Sequence, residues 1–302
     1  MCGIAGILYK RGAAAQAVGQ SLISMLDGCQ HRGADSTGCA MYTPGDDLLH
    51  LRFIIDDGAA GDQAIEQIKT ILAQHGAHLK TDQRIGRSYR ANVTYSGNIQ
   101  TFTYALEDAA KLIAAGYELD IIKDEGTAID VDKAYDVHHF TGTHGIGHVR
   151  LATESEVKPE AAHPFLATGF ADVAIVHNGQ ITNYWKMRRR MERRGFKFRT
   201  DNDSELIAVY LADQLKEGRS LEDALQEAID TLDGTFSFLV STKDEIGYAK
   251  DHLAAKPMVL VETDDLIAIA SEEVSLNRLF PGTALTTTEP APGTFKTWQR
   301  SI

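Results

Sequence analysis

No apolar run in this 302-residue sequence approaches the roughly 20 residues a helix needs to cross a bilayer. The opening MCGIAGILYKRG has no basic region ahead of its short apolar stretch and no secretory cleavage pattern. No membrane association is therefore expected, and a cytoplasmic location is. Cysteine is scarce: Cys2, Cys29 and Cys39 are too few and too unevenly placed for a disulfide framework. Cys29 and Cys39 are expected to be reduced, semi-buried apolar residues. Basic residues are outnumbered 30 to 42, and a net charge of −12 argues against a general nucleic-acid binder, which needs a basic surface to neutralise phosphates. There is no Pro-rich or Ser-rich linker and no internal repeat, so one domain is expected rather than two in tandem.

What is present is ample material for a core, with 43% hydrophobic and 24% charged residues. CGIAGILY reads as a buried strand, and Val18, Leu22, Met25 and Leu26 fall at helical spacing. The turn HRGADSTG and a strand near Cys39–Tyr42 follow. Residues 45–135 read as an insertion. It has a strand at Leu48–Ile55, a helix marked by Ala64, Ile65, Ile68, Ile71 and Leu72, and β-rich segments at Asn92–Tyr95 and Gln100–Tyr104. A helix at Leu106–Ala115 and a strand at Glu118–Ile122 complete the order βαββαβ, that of a split ferredoxin-like unit. Strands return after residue 140, with helices at about 183–195, 204–217 and 220–232 between them.

A cysteine at position 2 carries no function by itself, since chance places it there. Its chemistry is nevertheless distinctive. Removal of Met1 is favoured by a small following side chain and frees the Cys2 α-amine. An α-amine has a reference pKa of about 7.7–8.0 and a thiol one of about 8.5, so nucleophile and base can share one residue.

The surrounding motifs decide the matter. MCGIAGI, HRGADSTG, GIGHVRLAT, AHPF, HNGQITNY, TDNDSE, DGTFSF and ASE occur in that order. Through them the sequence resembles the class II glutamine amidotransferases, N-terminal-nucleophile hydrolases that include the glutaminase domains of amidophosphoribosyltransferase, glucosamine-6-phosphate synthase and glutamate synthase. The resemblance covers residues 1–42 and about 140–275, and not the insertion. It implies an α+β fold, a four-layer αββα sandwich of the N-terminal-nucleophile hydrolase type, as one domain over 1–302 carrying the inserted α/β segment.

The resemblance also implies roles. Cys2 is the nucleophile that forms a thioester with L-glutamine and releases ammonia and glutamate. Arg150 is the expected clamp for the substrate carboxylate, because guanidinium binds it bidentately, and Asp203 the partner of its ammonium. Asn178 and Gly179, from HNG, resemble the family's oxyanion hole, although an Asn-Gly pair elsewhere is an ordinary turn. Arg32, with Asp35 and Gly38, is expected to shape the loop beside Cys2 and orient its terminus. Thr153 is expected to contact substrate, and His163 matches a position near the glutamine loop, with a structural role an equal alternative. After Arg-x-x-Thr the relatives continue with His-Gly or Ala-Gly; Glu154-Ser155 stands here instead, which bears on how the loop over glutamine closes.

Two other features invite function. His138, His139, His144 and His148 lie close together, but without metal-ligand spacing, so no metal is expected. The charges of KMRRRMERRGFKFR (Lys186, Arg188, Arg189, Arg190, Arg193 and Arg194) read as a solvated helix, with docking to an acidic partner second. No phosphate-binding pattern follows the motif region. The acceptor of ammonia is therefore expected on a separate synthase subunit of a hetero-oligomer. The resemblance is greatest to the amidotransferase subunit of N-methylglutamate synthase and glutamate-synthase-like complexes. There flavin and iron–sulfur centres belong to partner subunits, so no cofactor is expected in this chain. A non-catalytic subunit retaining the fold, and a stand-alone amide hydrolase, are the alternatives.

Overall fold

The computed structural model describes residues 2–10, 16–151 and 158–300. The chain opens with β1 (Gly3–Tyr9), α1 (Val18–Gly28) and β2 (Ser36–Tyr42). A middle segment follows: β3 (Leu49–Ile54), α2 (Gly58–Gln74), β4 (His78–Ile85), β5 (Ser88–Thr94), α3 (Ile99–Leu106) and β6 (Lys111–Gly116). Next come β7 (Leu119–Glu125), α4 (Ala128–Tyr135), β8 (His144–Arg150), β9 (Phe165–Leu166) and β10 (Ala174–Ile181). The helices α5 (Tyr184–Arg193), α6 (Asp203–Lys216) and α7 (Leu221–Thr231) precede β11 (Gly234–Ser241) and β12 (Glu245–Lys250). The last elements are β13 (Val259–Glu262), β14 (Leu266–Ala270), α8 (Glu273–Asn277) and β15 (Phe295–Gln299).

Local chemistry starts several of these helices. Asn202 accepts from the Ser204 N–H to open α6, and Ser220 accepts from Asp223 to open α7. Thr127 and Asp130 form a reciprocal capping box at α4. In α1 the apolar positions read from the sequence, Val18, Leu22, Met25 and Leu26, are all buried.

Two sheets carry the architecture. The six-stranded sheet has the order β13-β14-β1-β8-β2-β7 and the five-stranded sheet β15-β12-β11-β10-β9. β1 and β8 of the first pack against β10 and β11 of the second. α1, α4 and α8 cover the outer face of the six-stranded sheet, and α6 and α7 that of the five-stranded sheet, which completes an αββα sandwich. Tyr42 and His144, stacked with centroids 4.3 Å apart, tie the sheets together. The Tyr42 hydroxyl donates to the Ser241 carbonyl at 2.8 Å, and His144 Nε2 lies 2.7 Å from the Thr242 carbonyl.

The middle segment makes a third, four-stranded sheet of order β4-β5-β3-β6, antiparallel throughout. With its first strand between the third and fourth, and helices after the first and third, this is the ferredoxin-like arrangement. Leu49, Leu51, Phe102 and Leu112 share one buried cluster with Ile4, Leu8 and Ile146, so the segment is fused to the main core.

Several element boundaries differ from the sequence reading. Gln100–Tyr104, expected as strand, lies within α3, where Asn98 accepts from the Thr101 N–H and Phe102 and Leu106 are buried one turn apart. Leu106–Ala115, expected as helix, holds the end of α3, a turn and most of β6. Its uninterrupted apolar run, Leu112–Ala115, has no period to separate strand from helix. The mostly exposed β4 was missed because its residues are polar. The Glu118–Ile122 strand belongs to β7, which pairs with β2 in the six-stranded sheet. The separately paired segment therefore spans Leu49–Gly116, narrower than residues 45–135.

Candidate active site

Cys2 immediately precedes β1, a central strand held between β8 and β14. Its carbonyl is gripped twice: Arg32 Nε donates to it at 2.9 Å and Asn178 Nδ2 at 3.1 Å. Arg32 arrives on the short 3-10 turn after α1, and Asn178 on β10 of the opposite sheet. The site thus straddles the two sheets at one end. The Cys2 thiol lies 3.9 Å from the carbonyl of Leu151, the residue after Arg150.

Two residues from the ASE motif complete this first cluster. Ser271 Oγ accepts from the Ile4 N–H at 3.0 Å and from Asn178 Nδ2 at 3.4 Å. The Ser271 N–H donates to the Ile4 carbonyl at 3.0 Å. Glu272 binds Arg32 Nη1 through one carboxylate oxygen, and its other lies 2.8 Å from His31 Nε2. The start of β1 is therefore fixed through its backbone rather than through the thiol, whose contact to the Leu151 carbonyl is long at 3.9 Å.

Gly179 follows Asn178 with φ +139, and a Cβ there would sit 2.0 Å from the Thr235 carbonyl oxygen. Only glycine allows β10 and β11 to approach this closely. Arg150 ends β8, one residue beyond the Gly3–Val149 pair, and its carbonyl accepts from the Asp35 N–H at 3.0 Å. It is buried, as is Asn178. Thr153, Glu154 and Ser155 lie outside the described residues.

A second cluster begins one residue back along β10. His177 Nδ1 lies 2.9 Å from Ser204 Oγ and 3.4 Å from Asp203 Oδ1. Ser204 Oγ also meets His163 Nε2 at 2.7 Å, and the His163 ring stacks on His148 with centroids 4.1 Å apart. Asp203 opens α6, and its other oxygen accepts from the Ile181 N–H at 2.9 Å. Burial raises the Asp203 carboxyl, but the bonds from His177, Ile181 and Ser204 outweigh it and hold the group below its ordinary value. Burial pushes His148 down to about 3 and His163 well below its ordinary value, so both rings are neutral at pH 7. Lys123, wholly buried, donates to the Ala162 carbonyl at 2.7 Å and the Pro164 carbonyl at 3.1 Å. It thereby pins the segment that carries His163, and burial pushes its ammonium down to about 7.

Of the residues singled out in the sequence, the structure brings Cys2, Arg32, Asn178 and Gly179 into one cluster. It links Asp203 and His163 through His177 and Ser204, and sets Arg150 next in the chain to Leu151, whose carbonyl is 3.9 Å from the thiol. Ser271, Glu272, His177 and Ser204 were not assigned, although all four lie inside quoted motifs (ASE, HNG and TDNDSE). Lys123 had no sequence signal, since nothing in a pattern marks a lysine as buried. Among the described residues of these two clusters no set of metal-ligand atoms converges; the one group that does, Asp136, His138 and His139, lies beyond the end of α4.

Known proteins resemble this chain in the same terms. A family model described as a glutamine amidotransferase domain matches residues 148–278. A putative glutamine amidotransferase of Methanothermobacter thermautotrophicus is 38% identical over 288 residues, 92% of this chain and 94% of that protein. The glutamine amidotransferase-like protein GlxB of Rhizobium meliloti is 34% identical over 99% of this chain and 98% of its own length. Among solved structures, the glutamine phosphoribosylpyrophosphate amidotransferase of B. subtilis superposes with a TM-score of 0.61 at 19% identity, covering 100% of this chain and 50% of that one. At that identity the likeness speaks for the fold, that of the N-terminal-nucleophile amidotransferases.

Proposed function

The chain belongs to the class II-like glutamine amidotransferase family, and from that premise we propose that it is a glutaminase subunit with Cys2 as its nucleophile. The Cys2 thiolate attacks the side-chain amide carbon of L-glutamine, with the freed α-amine taking the thiol proton. The tetrahedral intermediate places its oxyanion against Asn178 Nδ2 and the Gly179 N–H. As it collapses, the carbon–nitrogen bond breaks and the α-ammonium returns its proton to the departing ammonia. Water then cleaves the thioester, giving glutamate and restoring the thiol. Arg150 binds the substrate carboxylate and Asp203 its ammonium, and that two-ended hold supplies proximity. Thr153 is assigned to the substrate loop, and His163 acts on Asp203 through Ser204 and His177.

The observation that carries this reading is the double grip on the Cys2 carbonyl, by Arg32 and by the Asn178 amide that reaches across from the other sheet. A side-chain amide donor held beside the residue that bears the thiol supports the oxyanion role proposed for Asn178. The lowered Asp203 carboxyl supports an anion at the ammonium end.

The ammonia is passed to a separate synthase subunit of the glutamate-synthase-like, N-methylglutamate synthase class, with flavin and iron–sulfur centres on the partner. The relatives matched over nearly their whole lengths carry amidotransferase names, which supports the amidotransferase part of this reading. The test is ammonia release from glutamine by the complex purified with its native partners, set against Cys2→Ala. Loss of release in the variant is expected; equal release by both ends the enzymatic reading and leaves a binding subunit. A flavin absorbance in the purified complex is expected as well, and its absence would remove the glutamate-synthase-like assignment.

A further inference from the structure

We propose that Asp136, His138 and His139 form a binding site for one divalent transition-metal ion of the zinc class. One ligand atom from each of the three lies within 4.8 Å of the other two. The sequence grouped His138 and His139 with His144 and His148, but those two are buried in β8 and face other partners. The donor that joins the exposed pair is a carboxylate, which counting histidines does not find.

The geometry is prepared rather than incidental. Asp136 takes the left-handed conformation, φ 54, at the end of α4 and turns the chain into a short 3-10 turn, Val137–His139. That turn is clamped on α1. Val137 is buried, the Gly19 N–H donates to the Phe140 carbonyl at 3.0 Å, and a Cβ on Gly19 would sit 1.8 Å from the Val137 oxygen. The ligands therefore stand on a rigid support, which a metal site requires.

Asp132 supplies the outer contact. Its Oδ1 accepts from the His138 backbone N–H at 2.7 Å and lies 2.9 Å from His138 Nδ1. A proton held on Nδ1 by this carboxylate leaves the Nε2 lone pair for an ion, the carboxylate–histidine–metal relation that orients ligating imidazoles. The two rings have centroids 3.9 Å apart, so both imidazoles serve the same small volume. A single divalent ion satisfies both. Two imidazoles with one carboxylate select zinc, cobalt or nickel over magnesium or calcium, and three protein ligands leave a coordination position for water.

The test is calorimetric titration of the tag-free full-length chain with zinc chloride, paired with the absorption spectrum of the cobalt(II) form. One ion per chain is expected, with binding abolished in His138→Ala and in the milder His139→Asn, each folded by far-ultraviolet circular dichroism. Asp132→Asn should weaken binding about ten- to hundredfold. Cys2→Ala should leave affinity unchanged, and the cobalt spectrum should lack a thiolate charge-transfer band. No bound ion, unchanged affinity in the histidine variants, or loss in Cys2→Ala would each overturn the proposal.

Discussion

Replacing Glu272 with Gln removes a charge two steps away from the Cys2 thiol and leaves the shape of the side chain intact. The carboxylate binds Arg32 and lies 2.8 Å from His31, and Arg32 donates to the Cys2 carbonyl at 2.9 Å. A hydrogen bond to a charged group contributes about 1.5–3 kcal/mol and a neutral one about 0.5–1.5 kcal/mol, so neutralising Glu272 costs about 1–1.5 kcal/mol. Its side chain is 31% exposed, and solvent screening favours the lower figure. An effect of about 1 kcal/mol is roughly fivefold in a rate constant. Unfolding in urea should therefore show a loss of about 1 kcal/mol, and kcat/KM for glutamine should fall roughly fivefold through kcat, with KM held. Arg32→Met should produce a larger loss. Because the carboxylate acts through that guanidinium, the double variant should cost little more than Arg32→Met alone, a coupling of about 1 kcal/mol. Additive losses, or a change confined to KM, would refute the chain of contacts from Glu272 to Cys2.

Three further outcomes follow from the same structure. Gly179→Ala forces a Cβ to 2.0 Å from the Thr235 oxygen at φ +139, and should lose at least about 2 kcal/mol in urea unfolding while abolishing ammonia release. Arg52 and Asp120 form a buried bidentate pair at 2.7 Å, and Arg52→Met strands the carboxylate, a loss of about 3 kcal/mol. Burial raises Asp120 but Arg52 outweighs it and brings the group down to about 2, so this stability is present above pH 4 and drains away toward pH 2; acid unfolding should show that loss in the parent and not in Arg52→Met. Burial lowers Lys123 from 10.5 to about 7, so between those values the unfolded chain holds a proton that the folded one has released. Stability should rise with pH across that window in urea titrations, and a Lys123→Met variant should lack the rise.

The sequence reading was strongest where pattern and chemistry coincide. The αββα layers followed from the resemblance that the ordered motifs carry, α1 from apolar spacing that the core then used, and α5–α7 fall where helices were expected at about 183–195, 204–217 and 220–232. The middle segment was legible in order and less so in place. Leu112–Ala115 is apolar without a period, and β4 is polar because most of it faces solvent. The site shows the same division. Cys2, Arg32 and Asn178 sit in motifs, yet nothing in the sequence says that Arg32 and Asn178 converge on one carbonyl from different sheets. Glu272 and Ser204 stood in quoted motifs without a task, because a supporting contact is defined by its partner and not by its neighbours in the chain. On α5, the run of basic charge proved to be paired in part with acidic side chains: Arg188 with Glu192 and Asp201, Arg194 with Asp213 and Glu217.

The placement of β1 sets an order of events during synthesis. Its two sheet neighbours, β8 and β14, begin at residues 144 and 266. At about 5–20 residues per second, roughly 7–30 s separate the emergence of Cys2 from that of the first strand that can pair with the one behind it. Through that interval Cys2 stands ahead of a strand that has no partner. The Arg32 contact becomes possible soon after Cys2 is made and the Asn178 contact once residue 178 is, whereas the Ser271 contact that closes β14 over Ile4 waits for residue 271. A product truncated before residue 271 therefore holds the Cys2 thiol without the Ser271 contacts that fix the strand behind it.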